Sequence, residues 1–231
     1  MLTIVRVRVW LKERNERGVA AYRPGNLKKL WEHVLANHKD WDGSNCQIVY
    51  MTHRHMREDI SLFVYGEDMN DISEFALAHL APLTYVRSLR FISLMNPRFF
   101  PIPKDTFQRL ERYTLAISCE PRHLTSVYDT LSRYKGTESV VPNYLAYTLS
   151  GGEGDLLASY STKGESTMRK FVDRYIRPLD GVTDVSTTRI SRTKRLVSAA
   201  EWKVHFEIFV PEEGLDVEEI EAYEDDWISG C

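Results

Sequence analysis

The stretch LAPLTYV (Leu80–Val86) returns in outline as IRPLDGV (Ile176–Val182), 96 residues further along the chain. In both places a Pro-Leu pair follows an amphipathic stretch that is typical of a helix, and a strand-like run comes next. A matched spacing of this kind is the usual mark of an internal repeat. The two stretches therefore predict that one structural unit occurs twice in the chain.

The first half of the chain predicts the element order β-α-β-β-α-β. Alternating apolar residues over 5–11 predict a strand with one buried face, and apolar residues over 27–35 recur with helical spacing. Two strand-like runs come next. A second helical stripe then spans 72–83 and includes His79 among its apolar positions. A final strand-like run completes this unit.

The second half repeats the same order in nearly the same register. Phe75 and Phe171 occupy equivalent helix positions and lie 96 residues apart. We therefore predict an α+β chain of two tandem ferredoxin-like βαββαβ units, which occupy residues 1–97 and 110–198. Each unit is expected to form an antiparallel sheet with two helices on one face.

The segments outside the two predicted units have a different composition. Three prolines within 96–109 exclude a central strand or a helix interior, so 98–109 is expected to be a Pro-rich linker. Residues 199–231 are expected to form an extra strand followed by an acidic tail. Residues 201–231 carry 11 acidic residues and one lysine, whereas the first 200 carry 29 basic and 22 acidic residues. The simplest role for such a tail is solvation.

Composition limits the broad class of the protein. The hydrophobic content of 43% and the charged content of 27% are typical of a globular chain. No apolar run reaches the roughly 18 residues that a membrane-spanning helix needs, and the first residues lack the apolar block of a signal peptide. The three cysteines have no paired spacing. They are expected to be reduced thiols in a cytoplasmic protein without membrane contact.

Glycines and an aspartate meet at the predicted turn between two strands of the second unit. Glycine permits positive φ and a close approach of the backbone, and Asp155 can accept hydrogen bonds from an ammonium group. The predicted start of the next helix can bind a carboxylate. The predicted ligand-binding residues are Ser150, Gly151, Gly152, Gly154, Asp155, Thr162, Lys163 and Gly164. In the alternative interpretation, the glycines only form the hairpin and Asp155 caps its turn.

The second half, over 111–198, resembles the effector-binding RAM domain of the Lrp/AsnC family of feast/famine regulators. The resemblance rests on three stretches that stand in the family's order, namely Gly152–Asp155, Pro178–Val182 and Thr187–Ile190. The first half resembles the family only through its tandem partner, because Asp59 aligns with Asp155 but the turn glycines are absent. The resemblance implies a non-enzymatic regulator of transcription that binds a small metabolite, an amino acid or a similar zwitterion.

The resemblance also implies self-association through the helix-free sheet faces, near Arg6, Arg8 and Tyr113. The family's helix-turn-helix has no room before the first strand, so action through a helix-turn-helix paralogue is expected. Direct DNA binding would need another basic element. The candidate is the run RISRTKR, whose basic residues are Arg189, Arg192, Lys194 and Arg195. Charges on a final strand more often belong to a solvated edge, so direct DNA binding is disfavoured.

Three alternatives remain open at this point. His53 and His55 form a partial metal site, but a surface pair without metal is preferred, and no cofactor is expected. Together with Arg54 and Arg57 they are also the residues that an enzyme related to the sirohaem decarboxylases would need for a tetrapyrrole. RNA recognition by tandem ferredoxin-like units is the third alternative, although no basic, glycine-containing pattern flanks the strand aromatics.

Overall fold

The structure of the protein is a computed structural model that describes residues 1–10, 12–14, 20–22, 25–43, 45–100, 110–149 and 153–197, with the backbone alone for 12–14, 20–22 and 42–43. The predicted extra strand and acidic tail over 199–231 lie outside the described residues. Within the described part of the chain, no helix has the length and apolar character needed to cross a membrane.

The described part of the chain contains ten strands and four α-helices. The strands are β1 (Leu2–Val9), β2 (Lys12–Arg14), β3 (Ala20–Tyr22), β4 (Cys46–Arg54), β5 (Asp59–Gly66), β6 (Val86–Phe99), β7 (Glu111–Cys119), β8 (Val140–Thr148), β9 (Leu156–Thr162) and β10 (Val182–Arg195). The helices are α1 (Gly25–Asn37), α2 (Met69–His79), α3 (Leu124–Ser132) and α4 (Glu165–Phe171), with 3₁₀ turns at Asp40–Gly43 and Pro121–His123 and a π-helical turn at Val172–Ile176. The predicted α+β class with antiparallel strands is confirmed.

The chain divides into two compact units. The first contains Met1–Ile92 and Arg192–Val197, and the second contains Ser93–Ser191. The strand order is β6-β1-β5-β4 in the first unit and β10-β7-β9-β8 in the second. Strands β2 and β3 form a separate two-stranded sheet. When these two are left out of the count, both units place their fourth strand beside the first and their third beside the second.

The core of the first unit follows the apolar periodicity of the sequence. Val5, Val7 and Val9 alternate along β1 and are fully buried against the helices. Burial of such a side chain stabilises the fold by about 1.5–3 kcal/mol. The buried residues that the helices contribute to this core include Leu27, Leu30, Trp31, Val34, Ile72, Phe75 and Ala76. The predicted helical stripe over 27–35 thus forms a buried face.

The core of the second unit contains Tyr113, which the sequence analysis predicted to lie elsewhere. Tyr113 was expected near a helix-free sheet face. Instead it lies in the core, where it is 2% exposed and belongs to the same cluster as Leu115 and Ile117. Side chains alternate along β7, so odd-numbered residues of this strand share the buried, helix-covered side of the sheet. The expected position of Tyr113 is therefore wrong.

The last helical segment of the second unit departs from regular α-helical geometry. After Phe171 the backbone forms a π turn, in which the amide of Arg177 donates to the carbonyl oxygen of Val172 at 2.9 Å. A π turn contains more residues than an α turn, so the side chains after it rotate around the axis. Tyr175 is consequently 59% exposed, while Ile176 is fully buried.

β6 extends further than its prolines suggested. Its pairing with β8 shifts register between Met95 and Arg98, and Asn96 has a φ of 47°. Pro97 lies within this irregularity, where a missing backbone donor is tolerated. The prediction that prolines exclude a strand is therefore wrong for 96–99, while 101–109 lie outside the described residues.

Replacement of Gly181 by alanine should destabilise the second unit. Gly181 has a φ of 85°, and a Cβ built at this position would lie 2.2 Å from the Cβ of His123. We expect Gly181→Ala to lower the free energy of unfolding by about 1–3 kcal/mol, measured by denaturant titration. Gly25→Ala is the matched control, because nothing lies within 4 Å of its added Cβ. Equal stability of the two variants would contradict this account of Gly181.

Candidate functional site

The predicted glycine–aspartate turn is built into the end of the second unit's sheet. The amide of Asp155 donates to the carbonyl oxygen of Ile117 at 2.8 Å, and its Oδ2 accepts from the amide of Cys119 at 2.8 Å. Gly154 has a φ of 94°, and an added Cβ would lie 2.8 Å from the Ile117 nitrogen. Both residues are thus engaged with β7. This geometry favours the alternative interpretation, in which Asp155 caps the turn.

The other predicted ligand-binding residues lie at the far end of β9. Thr162 is fully buried, and its hydroxyl donates to the carbonyl oxygen of Gly164 at 3.0 Å. The seven residues of β9 separate this loop from Asp155 by roughly 20 Å, since a strand rises about 3.3 Å per residue. The structure therefore does not bring the two groups together. Ser150, Gly151 and Gly152 lie outside the described residues, and a ligand-binding role for the set stays a prediction.

The hairpin between β4 and β5 is closed by a buried ion pair. The guanidinium of Arg54 contacts both carboxylate oxygens of Asp59, at 2.9 and 2.5 Å, and Asp59 is 1% exposed. The nearby His53 lies 3.3 Å from the carbonyl oxygen of Arg57, and burial lowers the pKa of His53. Across the described ranges, no three His, Cys, Asp or Glu side chains are grouped so that they could hold a metal ion. The geometry assigns this hairpin a structural role.

Two of the basic residues proposed for DNA binding have partners within their own units. Arg189 forms an ion pair with Glu111 at 3.2 Å in the second unit. In the first unit, the guanidinium of Arg192 lies 4.9 Å from the ring centroid of Trp31. An arginine over an aromatic face stabilises the packing of the two groups. These contacts give Arg189 and Arg192 roles within the fold, and the prediction that direct DNA binding is disfavoured stays a prediction.

The helical layer of the first unit brings two histidines against one indole ring. His33 comes from α1, Trp41 from the following 3₁₀ turn, and Phe75 and His79 from α2. The ring of His79 stacks on Trp41 at 5.2 Å between centroids, and the ring of His33 lies 5.5 Å from it. Phe75 contacts Trp41 at 5.7 Å and His79 at 5.3 Å. We call these four residues the aromatic–histidine cluster.

A side-chain cap fixes the start of α2, the helix that carries Phe75 and His79 of the cluster. Asp68 precedes the helix, and its Oδ1 accepts from the amides of Asn70 and Asp71 at 2.7 and 3.0 Å. An acceptor at this position satisfies the free amides of a helix start. Phe75 and His79 are four residues apart, so they lie on the same face of α2. The buried ring of Phe75 thereby fixes where the imidazole of His79 meets Trp41.

The electrostatics of the cluster favour a neutral imidazole at His33. Burial lowers the pKa of His33, and the neighbouring His79 lowers it further because two positive charges repel. Trp41 and Phe75, which are 8% and 2% exposed, supply an apolar wall. A half-buried neutral imidazole beside such a wall can exchange hydrogen bonds with a bound molecule. The cluster therefore combines proton-handling groups with an apolar surface.

Sequence reasoning did not connect the residues of the cluster. His79 already occupied an apolar position of the predicted stripe over 72–83, and a histidine on such a stripe was the available signal. His33 is adjacent to the α1 stripe, and Trp41 lies in a turn without a periodic pattern. Nothing in their spacing along the chain indicated that three separate segments would meet at one indole.

The comparisons with known proteins are confined to structure. No family model and no curated protein matches the sequence. A protein from Lactobacillus acidophilus NCFM, provisionally named a monooxygenase, has a TM-score of 0.52 at 5% identity and covers 84% of this chain and 95% of its own. An anthrone oxidase-like protein has a TM-score of 0.47 at 13% identity, covering 84% and 92%. Chlorite dismutase from Candidatus Nitrospira defluvii has a TM-score of 0.46 at 11% identity, covering 83% and 91%.

These matches correct the sequence-based assignment. The Lactobacillus acidophilus protein shares the fold of this chain, and it is provisionally named a monooxygenase rather than an Lrp/AsnC regulator. The predicted membership of the Lrp/AsnC family is therefore wrong. The predicted non-enzymatic role in transcription is wrong for the same reason. Of the three stretches that suggested the family, the first contains Gly154 and Asp155, which contact the backbone of β7.

The capping role of Asp155 can be tested by stability. Asp155→Ala leaves the amide of Cys119 without its carboxylate acceptor, so we expect the free energy of unfolding to fall by about 1.5–3 kcal/mol. Thermal and denaturant unfolding provide the measurement. Asp129→Ala, which removes an exposed carboxylate from α3, is the control. A loss no larger than that of the control would rule out the capping role.

The stability of the first unit should depend on pH through His33. Its folded-state pKa lies below the unfolded value, so the unfolded chain binds the proton more tightly. We therefore expect stability to be complete above about pH 6.5 and to decrease as the pH falls toward the folded-state pKa. Denaturant titrations at several pH values should show a weaker dependence in His33→Gln. His53, whose pKa is also lowered by burial, contributes to the part that remains. An identical pH dependence in this variant would contradict the assignment.

Proposed function

We propose that the chain is an enzyme of the oxidase or monooxygenase type, with the aromatic–histidine cluster in its active site. The observation that carries this proposal is the contact of two imidazoles, from His33 and His79, with the buried indole of Trp41. The shared fold with a protein provisionally named a monooxygenase supports the reaction class. Because fold alone does not define chemistry, the residues of the cluster carry the argument.

The cluster has the components that oxidation of an organic substrate requires from a protein. Trp41 and Phe75 form an apolar wall that can exclude water and orient a planar molecule. His33 and His79 place polar ring atoms beside this wall, where they can stabilise or move a proton as the substrate changes charge. The low dielectric of such a site strengthens each hydrogen bond to a developing charge.

We also propose that the two units are tandem ferredoxin-like copies of one βαββαβ ancestor. Their identical strand order and equivalent helices support this origin. Asp59 and Asp155, 96 residues apart, both follow a hairpin turn and lead into the third strand of their unit. The cluster occurs in the first unit, so the copies have diverged in the helical layer. Self-association through helix-free sheet faces remains a proposal.

Oxygen consumption tests the proposed function. The protein is incubated with a series of phenols and naphthols, and oxygen uptake is followed with an electrode. We expect His33→Ala and His79→Ala to reduce the rate by about 10²-fold, which is the usual loss when one proton-handling or hydrogen-bonding group is removed.

His38→Ala is the matched control, because His38 is also half-buried and close in sequence but makes its ring contact with the carbonyl oxygen of Leu35 at 3.0 Å. It should retain the wild-type rate. Absence of oxygen uptake with every substrate, or equal rates in all three variants, would refute the proposal.

A further inference from the structure

The amide of Asn37 reaches two acceptors of His33 on the last turn of α1. Its Nδ2 lies 2.7 Å from the carbonyl oxygen of His33 and 3.3 Å from the ring nitrogen Nδ1. An amide nitrogen carries two hydrogens and no free lone pair, so it can donate to both acceptors at once. The spacing of four residues places the two side chains on the same helix face.

We infer that Asn37 is a positioning residue that holds His33 in its neutral form with the proton on Nε2. A ring nitrogen that accepts a hydrogen bond from an amide cannot carry a proton itself. In a neutral imidazole the proton must then lie on the other nitrogen. The ring of His33 consequently presents a hydrogen-bond donor, Nε2–H, to whatever binds beside it.

The surroundings of the ring agree with this protonation state. Trp41 contacts the ring from the 3₁₀ turn and carries no charge. His79, on α2, can carry a positive charge close to the ring of His33. Two positive charges repel, so His79 disfavours a second proton on His33. Asn37, on α1, is a donor. None of these three neighbours stabilises a proton on Nδ1.

The catalytic role that this inference gives to His33 rests on the proposed function. A neutral imidazole that donates through Nε2 stabilises negative charge that develops on a substrate oxygen, and it does so without transferring its proton. His33 is then the oxyanion-stabilising donor of the site and not its general base. Abstraction of a proton from the substrate falls to another group, for which His79 is the neighbouring candidate.

The rival interpretation gives Asn37 a purely structural role. The carbonyl oxygens at the end of a helix lack intrahelical donors, and side chains often satisfy them. The shorter of the two distances, to the His33 carbonyl oxygen, is compatible with this role alone. The two interpretations differ in the state of the imidazole, which nuclear magnetic resonance reads directly.

Long-range ¹H–¹⁵N correlation spectra of the full chain at pH 7.5 test the inference, with His33→Gln used to assign the ring. We expect wild-type His33 to be the Nε2–H tautomer. In Asn37→Asp, a carboxylate replaces the donor beside Nδ1, so the proton should move to Nδ1 and the pKa of His33 should rise. The ring of His38, which is bonded to Leu35 instead, should keep its tautomer and serves as the internal control.

A wild-type ring protonated on Nδ1, or an unchanged tautomer in folded Asn37→Asp, would overturn the inference. If Asn37→Asp does not fold, the wild-type spectrum decides alone. The spectra report the tautomer of His33 without catalytic turnover. Their result is therefore independent of the proposed function. In the oxygen-uptake assay, His33→Gln should retain more activity than His33→Ala because its amide can still donate. Equal loss in the two variants would overturn the donor role.

Discussion

Close packing of Gly154 against the backbone of Ile117 constrains one end of the second unit's sheet. There is no room for a Cβ at this contact, and the positive φ of Gly154 suits glycine. The contact positions the next residue, Asp155. Its carboxylate accepts from the amide of Cys119, and its own amide donates to the carbonyl oxygen of Ile117. Burial together with the Asp155 carboxylate raises the pKa of Cys119 to about 11, so this residue stays a thiol at neutral pH.

The first unit closes the equivalent hairpin by different chemistry. Asp59 stands at the position that matches Asp155, but its carboxylate pairs with the guanidinium of Arg54 within the hairpin. A buried carboxylate needs such a partner, because an unpaired charge in the interior is strongly destabilising. An aspartate thus anchors the hairpin in both units. In both hairpins the contacts of the aspartate lie within the sheet region of its own unit.

The chemistry proposed for the protein lies in the helical layer, away from these turns. Three segments of the first unit present His33, Trp41 and His79 to one another, and the capped start of α2 maintains this arrangement. The outer residues of a helix do not take part in strand pairing, so they can be replaced by residues such as histidine without disturbing the sheet. The two units therefore have the same strand order but differ in their helices, where function can differ without loss of the fold.

The sequence by itself determined the α+β class and the buried helix face of α1, because alternation and helical spacing are local consequences of burying apolar side chains. It missed β2 and β3, which stand between β1 and α1 in the predicted β-α-β-β-α-β order. It also singled out Asp155 and left open whether this residue binds a ligand or caps its turn, and the observed contacts favour the cap. Tertiary structure alone decided that His33 and His79 meet at Trp41, that the π turn exposes Tyr175, and that Pro97 lies within β6. These features depend on packing between distant segments, and the spacing of residues along one segment carries no information about such packing.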